Sequence, residues 1–242
     1  MITPEKSIVN SSENVLDIFI SPDGILCSIS DENRNVILRK DLNQPINTKT
    51  DMRMVIDFFN QPELKVLGDN VNIYVENSVY QLVPSELYRV EDAQKLFEMV
   101  YGNSDNEIIK YSVLPKWNLH LAYKIPEKID IFIYERYPDV EIKHIVFDLL
   151  KSFVHKTEEA VYLNVRKNVI DLALVKDNKL QLLNSFDVKT DEDICYFTMN
   201  VYEQLNLNNE NFKLKIRKNS ILNPATIELL KQYITQVDVE KF

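Results

Sequence analysis

An α/β fold of two similar lobes in tandem is what this sequence predicts, and three observations carry the prediction. Two stretches far apart in the chain, Leu16–Leu38 (LDIFISPDGILCSISDENRNVIL) and Val161–Ser185 (VYLNVRKNVIDLALVKDNKLQLLNS), share a pattern of three short strands and two tight turns. Each is followed by helices and strands in alternation, recognised by the period of their apolar residues. No Pro-, Gly- or Ser-rich linker divides the halves, so they are expected to pack against each other.

The second half shows the order most clearly. After its meander, Thr190 caps a helix that carries Asp191, Glu192 and Asp193 in its first turn, where acids complement the helix dipole. Ile194, Phe197, Val201 and Leu205 recur along it at helical spacing. A strand over Phe212–Ile216 follows, then a helix opened by Asn223 as cap and Pro224 at the first helical position. A last strand, QVDVEKF, closes the series. Strand-strand-strand-helix-strand-helix-strand is the order of a ribonuclease-H-like lobe.

The first half follows that order more loosely. Asp23-Gly24 marks its first turn, since glycine takes positive φ without a Cβ clash. A helix is predicted over Thr50–Gln61, strands within Lys65–Pro84, and a helix over Pro84–Gly102. Then come a strand at Asn118–Pro126, a helix at Glu127–Pro138, a strand at Val140–Ile145 and a helix at Val146–Lys156. The segment from about Ser78 to Trp117 reads as an inserted subdomain. The lobes are therefore drawn at residues 1–156 and 157–242, with the insertion at about 78–117.

Composition narrows the function classes. Hydrophobic residues make up 45% of the 242 and charged residues 27%, the balance of a soluble globular chain. A net charge of −9 with no basic stripe argues against a nucleic-acid partner. No apolar run approaches the roughly 20 residues of a membrane span, and the opening MITPEKSIVNSSEN lacks a secretory pattern, so a cytoplasmic protein is expected. Cys27 and Cys195 form no CxxC motif and read as buried thiols. His120, His144 and His155 lack metal-ligand spacing, so no metal is assigned. Trp117 reads as a core plug. Only three glycines occur, Gly24, Gly68 and Gly102, although backbone cradles for phosphate are usually glycine-rich.

Two such lobes in tandem resemble the actin, hexokinase and heat-shock-chaperone superfamily of ATPases. Through DGILCSI, YQLVPSELY, LAYKIP, VYLNVRKNVIDLALVKDNKLQLLNSFDVKTDEDICYF and LLKQYI, the chain is similar to a bacterial family classed as a domain of unknown function. That family has the actin-like fold and is distantly similar to the pilus-assembly protein PilM. The resemblance implies three nucleotide loops. The first falls on Ser21, Pro22, Asp23 and Gly24, where Asp-Gly is read first as a hairpin turn. In the second, the position of the expected acid is taken by Asn164 and that of the glycine by Arg166, with Lys167 beside it. In the third, the adenosine loop, Arg217, Lys218 and Asn219 stand where paired glycines are usual. All three depart in the same direction, so Asn164 is expected to close a turn, Arg166 and Lys167 to be solvated, and ATP hydrolysis to be absent.

A nuclease reading needs an acid in mid-strand, and Asp17 lies at the wrong end of its strand. The expectation is therefore a non-catalytic actin-like scaffold or adaptor, with no cofactor, a protein or peptide partner and the option of a homodimer. Its expected surfaces are the interlobe cleft and the insertion's aromatic stretch, Tyr80, Tyr88, Phe97 and Tyr101. The alternative is a nucleotide-binding switch or weak ATPase using Asp23, Arg166, Lys167 and Lys218 in an atypical site.

Overall fold

The computed structural model describes residues 13–64, 70–153, 158–217 and 222–240. The chain divides into two compact units, Met1–Phe147 and Asp148–Phe242.

In the first unit, β1 (Val15–Ser21), β2 (Gly24–Ser30) and β3 (Val36–Leu42) form an antiparallel meander. Along β1, Leu16, Ile18 and Ile20 are buried while the residues between them are half-buried, the period of two that a pleated strand imposes. The second turn is closed by Asp31, whose carboxylate accepts the N–H groups of Asn33 and Asn35. Helix α1 (Met52–Phe59) is capped by Asp51, which accepts from the Arg53 N–H, and it buries Val55, Phe58 and Phe59. Strands β4 (Val71–Val75) and β8 (Ile142–His144) add in parallel, giving the order β3-β2-β1-β4-β8.

Between β4 and β8 the chain builds a second, antiparallel sheet, β5-β7-β6, from β5 (Tyr80–Pro84), β6 (Glu107–Leu114) and β7 (Leu119–Pro126). Strand β6 was not among the strands expected from sequence. The helix expected over Pro84–Gly102 is shorter, α2 (Ala93–Tyr101). Ahead of it the Pro84 carbonyl accepts from the Leu87 and Tyr88 N–H groups, and the resulting turn drives the Tyr88 ring flat onto His120, 4.4 Å between centroids. Tyr88, Ala93, Phe97 and Ala122 are the core of this insertion. Three of the four aromatic residues expected as an exposed stretch are thus interior: Tyr80, Tyr88 and Phe97 are buried, and only Tyr101 is exposed. The aromatic period that suggested a surface is the packing period of a small core. Helices α3 (Glu127–Arg136) and α4 (Ile145–Ser152) flank β8.

The second unit repeats the first unit's sheet. Strands β9 (Ala160–Val165), β10 (Val169–Lys176) and β11 (Lys179–Asp187) form the meander, β12 (Leu214–Arg217) and β13 (Val237–Glu240) pair in parallel, and the order is β11-β10-β9-β12-β13. The β10–β11 hairpin turns through Asp177 and Asn178, both at positive φ, as their side chains allow. Helix α5 (Asp191–Gln204) starts in a reciprocal capping box between Thr190 and Asp193. Helix α6 (Pro224–Lys231) starts with the Asn223 side chain accepting from the Ala225 N–H. Leu163, Leu172, Ile216, Ile194, Val201 and Leu230 join strands and helices in one core. Strand β9 is buried on both faces, as a central strand with a parallel neighbour should be. Among the described residues no helix is long and apolar enough to cross a membrane.

Candidate functional site

The turn from β9 to β10 positions the second unit's candidate residues. Asn164 lies within β9, directly opposite Asp171 of β10 in the antiparallel register. Both are buried, and the Asn164 amide donates to Asp171 Oδ2 at 2.8 Å. Arg166 leaves the end of β9 and folds back: its Nε donates to Oδ2 at 3.0 Å and its Nη2 to Oδ1 at 2.7 Å. The Ser185 hydroxyl donates to Oδ1 at 2.6 Å. Four donors therefore converge on one carboxylate of zero exposure, and the guanidinium grips it as a two-pronged fork.

This corrects two expectations. Asn164 does not close a turn, and Arg166 is not solvated; its side chain is 6% exposed. An unpaired carboxylate could not be buried at the middle of β10, and the guanidinium is the group that neutralises it. Of the turn cations only Lys167 projects into solvent. The backbone of the turn is itself committed, with Arg166 N–H donating to the Val169 carbonyl and the Asn168 carbonyl accepting from Val188 N–H.

The first unit's turn is spent differently. Ser21 pairs with Gly24 across a two-residue turn of Pro22 and Asp23, so Gly24 belongs to β2 and not to the turn. A Cβ at Gly24 would lie 2.1 Å from the Leu42 carbonyl oxygen. The glycine thus admits the chain's own backbone at the place where the resemblance implied a phosphate. The Pro22 carbonyl is taken up by the Ile46 N–H at 3.0 Å. Asp23 is exposed.

Of the third loop's residues, Arg217 ends β12 and is half-buried, while Lys218 and Asn219 lie outside the described residues. The helix after that loop starts as expected, and its first turn is tied to α5: Asp191 accepts from Asn223 Nδ2 at 2.9 Å and from the Thr226 hydroxyl at 2.7 Å. Between the β9–β10 turn and these two helix starts lies a cavity of about 310 Å³, lined by Arg166, Lys167, Lys189, Asp191, Asn223 and Thr226. It sits at the carboxyl end of β9, and the carboxyl ends of parallel strands are the usual place for a ligand in open α/β sheets.

Asp17 and His144 have partners within the chain. Asp17 accepts from Asn72 at 2.8 Å. His144 is fully buried, ringed by Tyr80 and Tyr123 and bonded to the Asn77 carbonyl. His155 lies outside the described residues. Among those residues no three His, Cys, Asp or Glu side chains gather as a metal site would require.

The sequence matches the model of one protein family over residues 3–237. The chain belongs to the family described as protein of unknown function (DUF3822). Among solved structures, this DUF3822 chain is similar to a Bacteroides thetaiotaomicron protein described as having an actin-like ATPase fold and unknown function. They share 27% identity and a TM-score of 0.75, covering 99% of this chain and 94% of that one. That likeness and the doubled sheet order establish the actin-like ATPase fold. At lower identity it is similar to the ethanolamine utilization protein EutJ from Carboxydothermus hydrogenoformans, at 6% identity and TM-score 0.47, covering 93% and 84%. It is likewise similar to a PilM–PilN type IV pilus biogenesis complex, at 9% identity and TM-score 0.47, covering 96% and 88%. No curated protein matches the sequence.

Within this DUF3822 member, sequence reasoning missed Asp171 and Ser185. Asp171 did leave a signal: it is the one charge inside the apolar run VIDLALV, and it stands opposite Asn164 once the hairpin is drawn.

Proposed function

We propose that this chain is a non-catalytic binding module, an actin-like scaffold that holds a protein partner and turns over no nucleotide. The observation that carries this reading is the state of Asp171. It is the carboxylate that faces Asn164 across the second unit's hairpin, and both its oxygens are saturated by Arg166, Asn164 and Ser185. A carboxylate held that way has no lone pair directed at a metal-bound water, and a guanidinium occupies the place of a cation. Gly24, packed on the Leu42 carbonyl, supports the same reading in the first unit. The test is thermal unfolding of the full chain with Mg-ATP, Mg-ADP and no nucleotide, together with a phosphate-release assay. Unchanged melting and no release are expected; turnover that disappears in Asp171→Asn would defeat the proposal.

A second reading is favoured by the cavity itself. The exposed Lys167 and Lys189 line it beside Asp191, whose carboxylate is already taken by Asn223 and Thr226, so an anion there would meet the two lysines. On this reading the module binds a nucleotide or other phosphate as a switch, without hydrolysis. A ligand at about a hundred times its dissociation constant adds roughly 2.7 kcal/mol of stability. A nucleotide-induced shift that Lys167→Ala with Lys189→Ala abolishes selects this reading over the first.

A further inference from the structure

Every open sheet has two edges, and this chain protects most of its own. Strand β3 carries Arg39, Lys40 and Asp41; β11 begins at Lys179 and ends at Asp187; β13 carries Asp238 and Glu240. Strand β8 is three residues long, and β5 is five residues long and ends in Pro84. Charges, prolines and short length all discourage one edge from pairing with another.

Strand β6 is neither short nor broken by a proline, and charge is the one such device it carries. It is eight residues long, EIIKYSVL, at the edge of the β5-β7-β6 sheet. Its two charges are already matched within the chain, Lys110 with Asp130 at 2.7 Å and Glu107 with Lys124 at 3.7 Å. Tyr111 and Val113 are 45% and 46% exposed. The Tyr88 ring lies 5.3 Å from that of Tyr111, and beside it in the chain Leu87 and Val90 are 70% and 64% exposed, so the apolar surface continues past the strand.

We propose that β6 is a homodimer surface, on which the β6 strands of two copies pair antiparallel about a two-fold axis at Tyr111. The strand's own sequence favours a second copy as occupant. With the axis at Tyr111, Ile109 faces Val113 of the second copy, Ile108 faces Leu114, Lys110 faces Ser112, and the tyrosines meet at the axis. No like charges oppose one another, and every opposed apolar residue meets an apolar one. Centring the pair on Lys110 instead sets lysine against lysine, which is destabilising. Such a closed two-fold contact also removes an edge that would otherwise recruit further strands. This inference does not depend on the nucleotide reading above.

The experiment is light scattering of the full chain over a concentration series, with three variants. The wild type is expected as a dimer, and Tyr111→Lys, which puts two like charges on the axis, weakens association by at least about tenfold (about 1.4 kcal/mol). Because Tyr111 is exposed, circular dichroism should show this variant folded. Directly opposed residues of an antiparallel pair have Cβ atoms about 4.5–5.5 Å apart, so Tyr111→Cys should oxidise to a linked dimer. Tyr134→Cys, at a position 67% exposed on α3, should not. A wild type that stays monomeric throughout overturns the proposal. So does a dimer that survives Tyr111→Lys, or one that links through residue 134 and not through residue 111.

Discussion

Replacing Asp171 with alanine removes the acceptor on which the polar cluster of the second unit is built. Asp171 is wholly buried and Arg166 is 6% exposed, so water cannot replace the lost carboxylate without opening the sheet. Breaking a buried pair by deleting one partner costs about 3–5 kcal/mol, because the other charge stays behind. The Asn164 amide and Ser185 hydroxyl lose their acceptor as well, at about 1–3 kcal/mol for each donor left unmade, though these costs overlap. A net loss of about 4 kcal/mol is expected. With a urea m-value of about 2 kcal/mol/M the midpoint moves down by about 2 M, read by far-ultraviolet circular dichroism. Replacing both charges, Asp171→Leu with Arg166→Met, should recover the ionic part of the loss, since an apolar pair of similar volume carries no desolvation penalty, and leave the part owed to the Asn164 and Ser185 donors. A double-mutant cycle then reports the coupling directly. If Asp171→Ala alone loses less than about 1 kcal/mol, the carboxylate is not a buried counter-ion of Arg166 and stays open to a catalytic role.

Three further outcomes are expected. Gly24→Ala should destabilise the first unit by about 1–3 kcal/mol, because its Cβ would strike the Leu42 carbonyl and the strand must shift; an unchanged melting temperature refutes this. Hydrogen bonds from Lys213 and Lys215 hold the Glu158 carboxyl at about 2, below its ordinary 4.5, so the stability it contributes is complete above pH 4.5 and drains away as pH falls toward 2. Glu158→Gln should therefore narrow its gap to wild type across that window, and parallel acid-unfolding curves would count against the pairing. Burial pushes the Cys27 thiol up to about 12, so a thiol reagent at pH 8 should leave it unmodified until the chain unfolds; rapid labelling of native Cys27 contradicts that burial.

Much of the architecture was readable because it depends on local periodicity and local capping. The Thr190 and Asn223 caps, the Pro224 helix start and the alternation in β1 each involve residues within one or two turns of each other. Strand β6 was less readable because it supports an insertion whose sheet closes only when β7 returns between β5 and β6. Tyr88 illustrates the same limit: it lies in a helical-looking run, and its ring partner, His120, is thirty-odd residues downstream.

By itself the sequence determined two meanders of one pattern, the helices that follow them, and the lack of glycine at the second and third of the implied nucleotide loops. Those properties belong to residue types and short spacings. Only the tertiary structure decided where the charges went. Arg166 read as a solvated turn cation because its partner is not a sequence neighbour in any helical or strand period; the hairpin register brings Asp171 opposite Asn164 and within the guanidinium's reach. Burial then makes the pair obligatory, since a lone carboxylate inside a sheet is far costlier than one matched to a guanidinium. Gly24 likewise appeared as a turn residue, and the approach of Leu42 from the next strand shows it to be a packing residue.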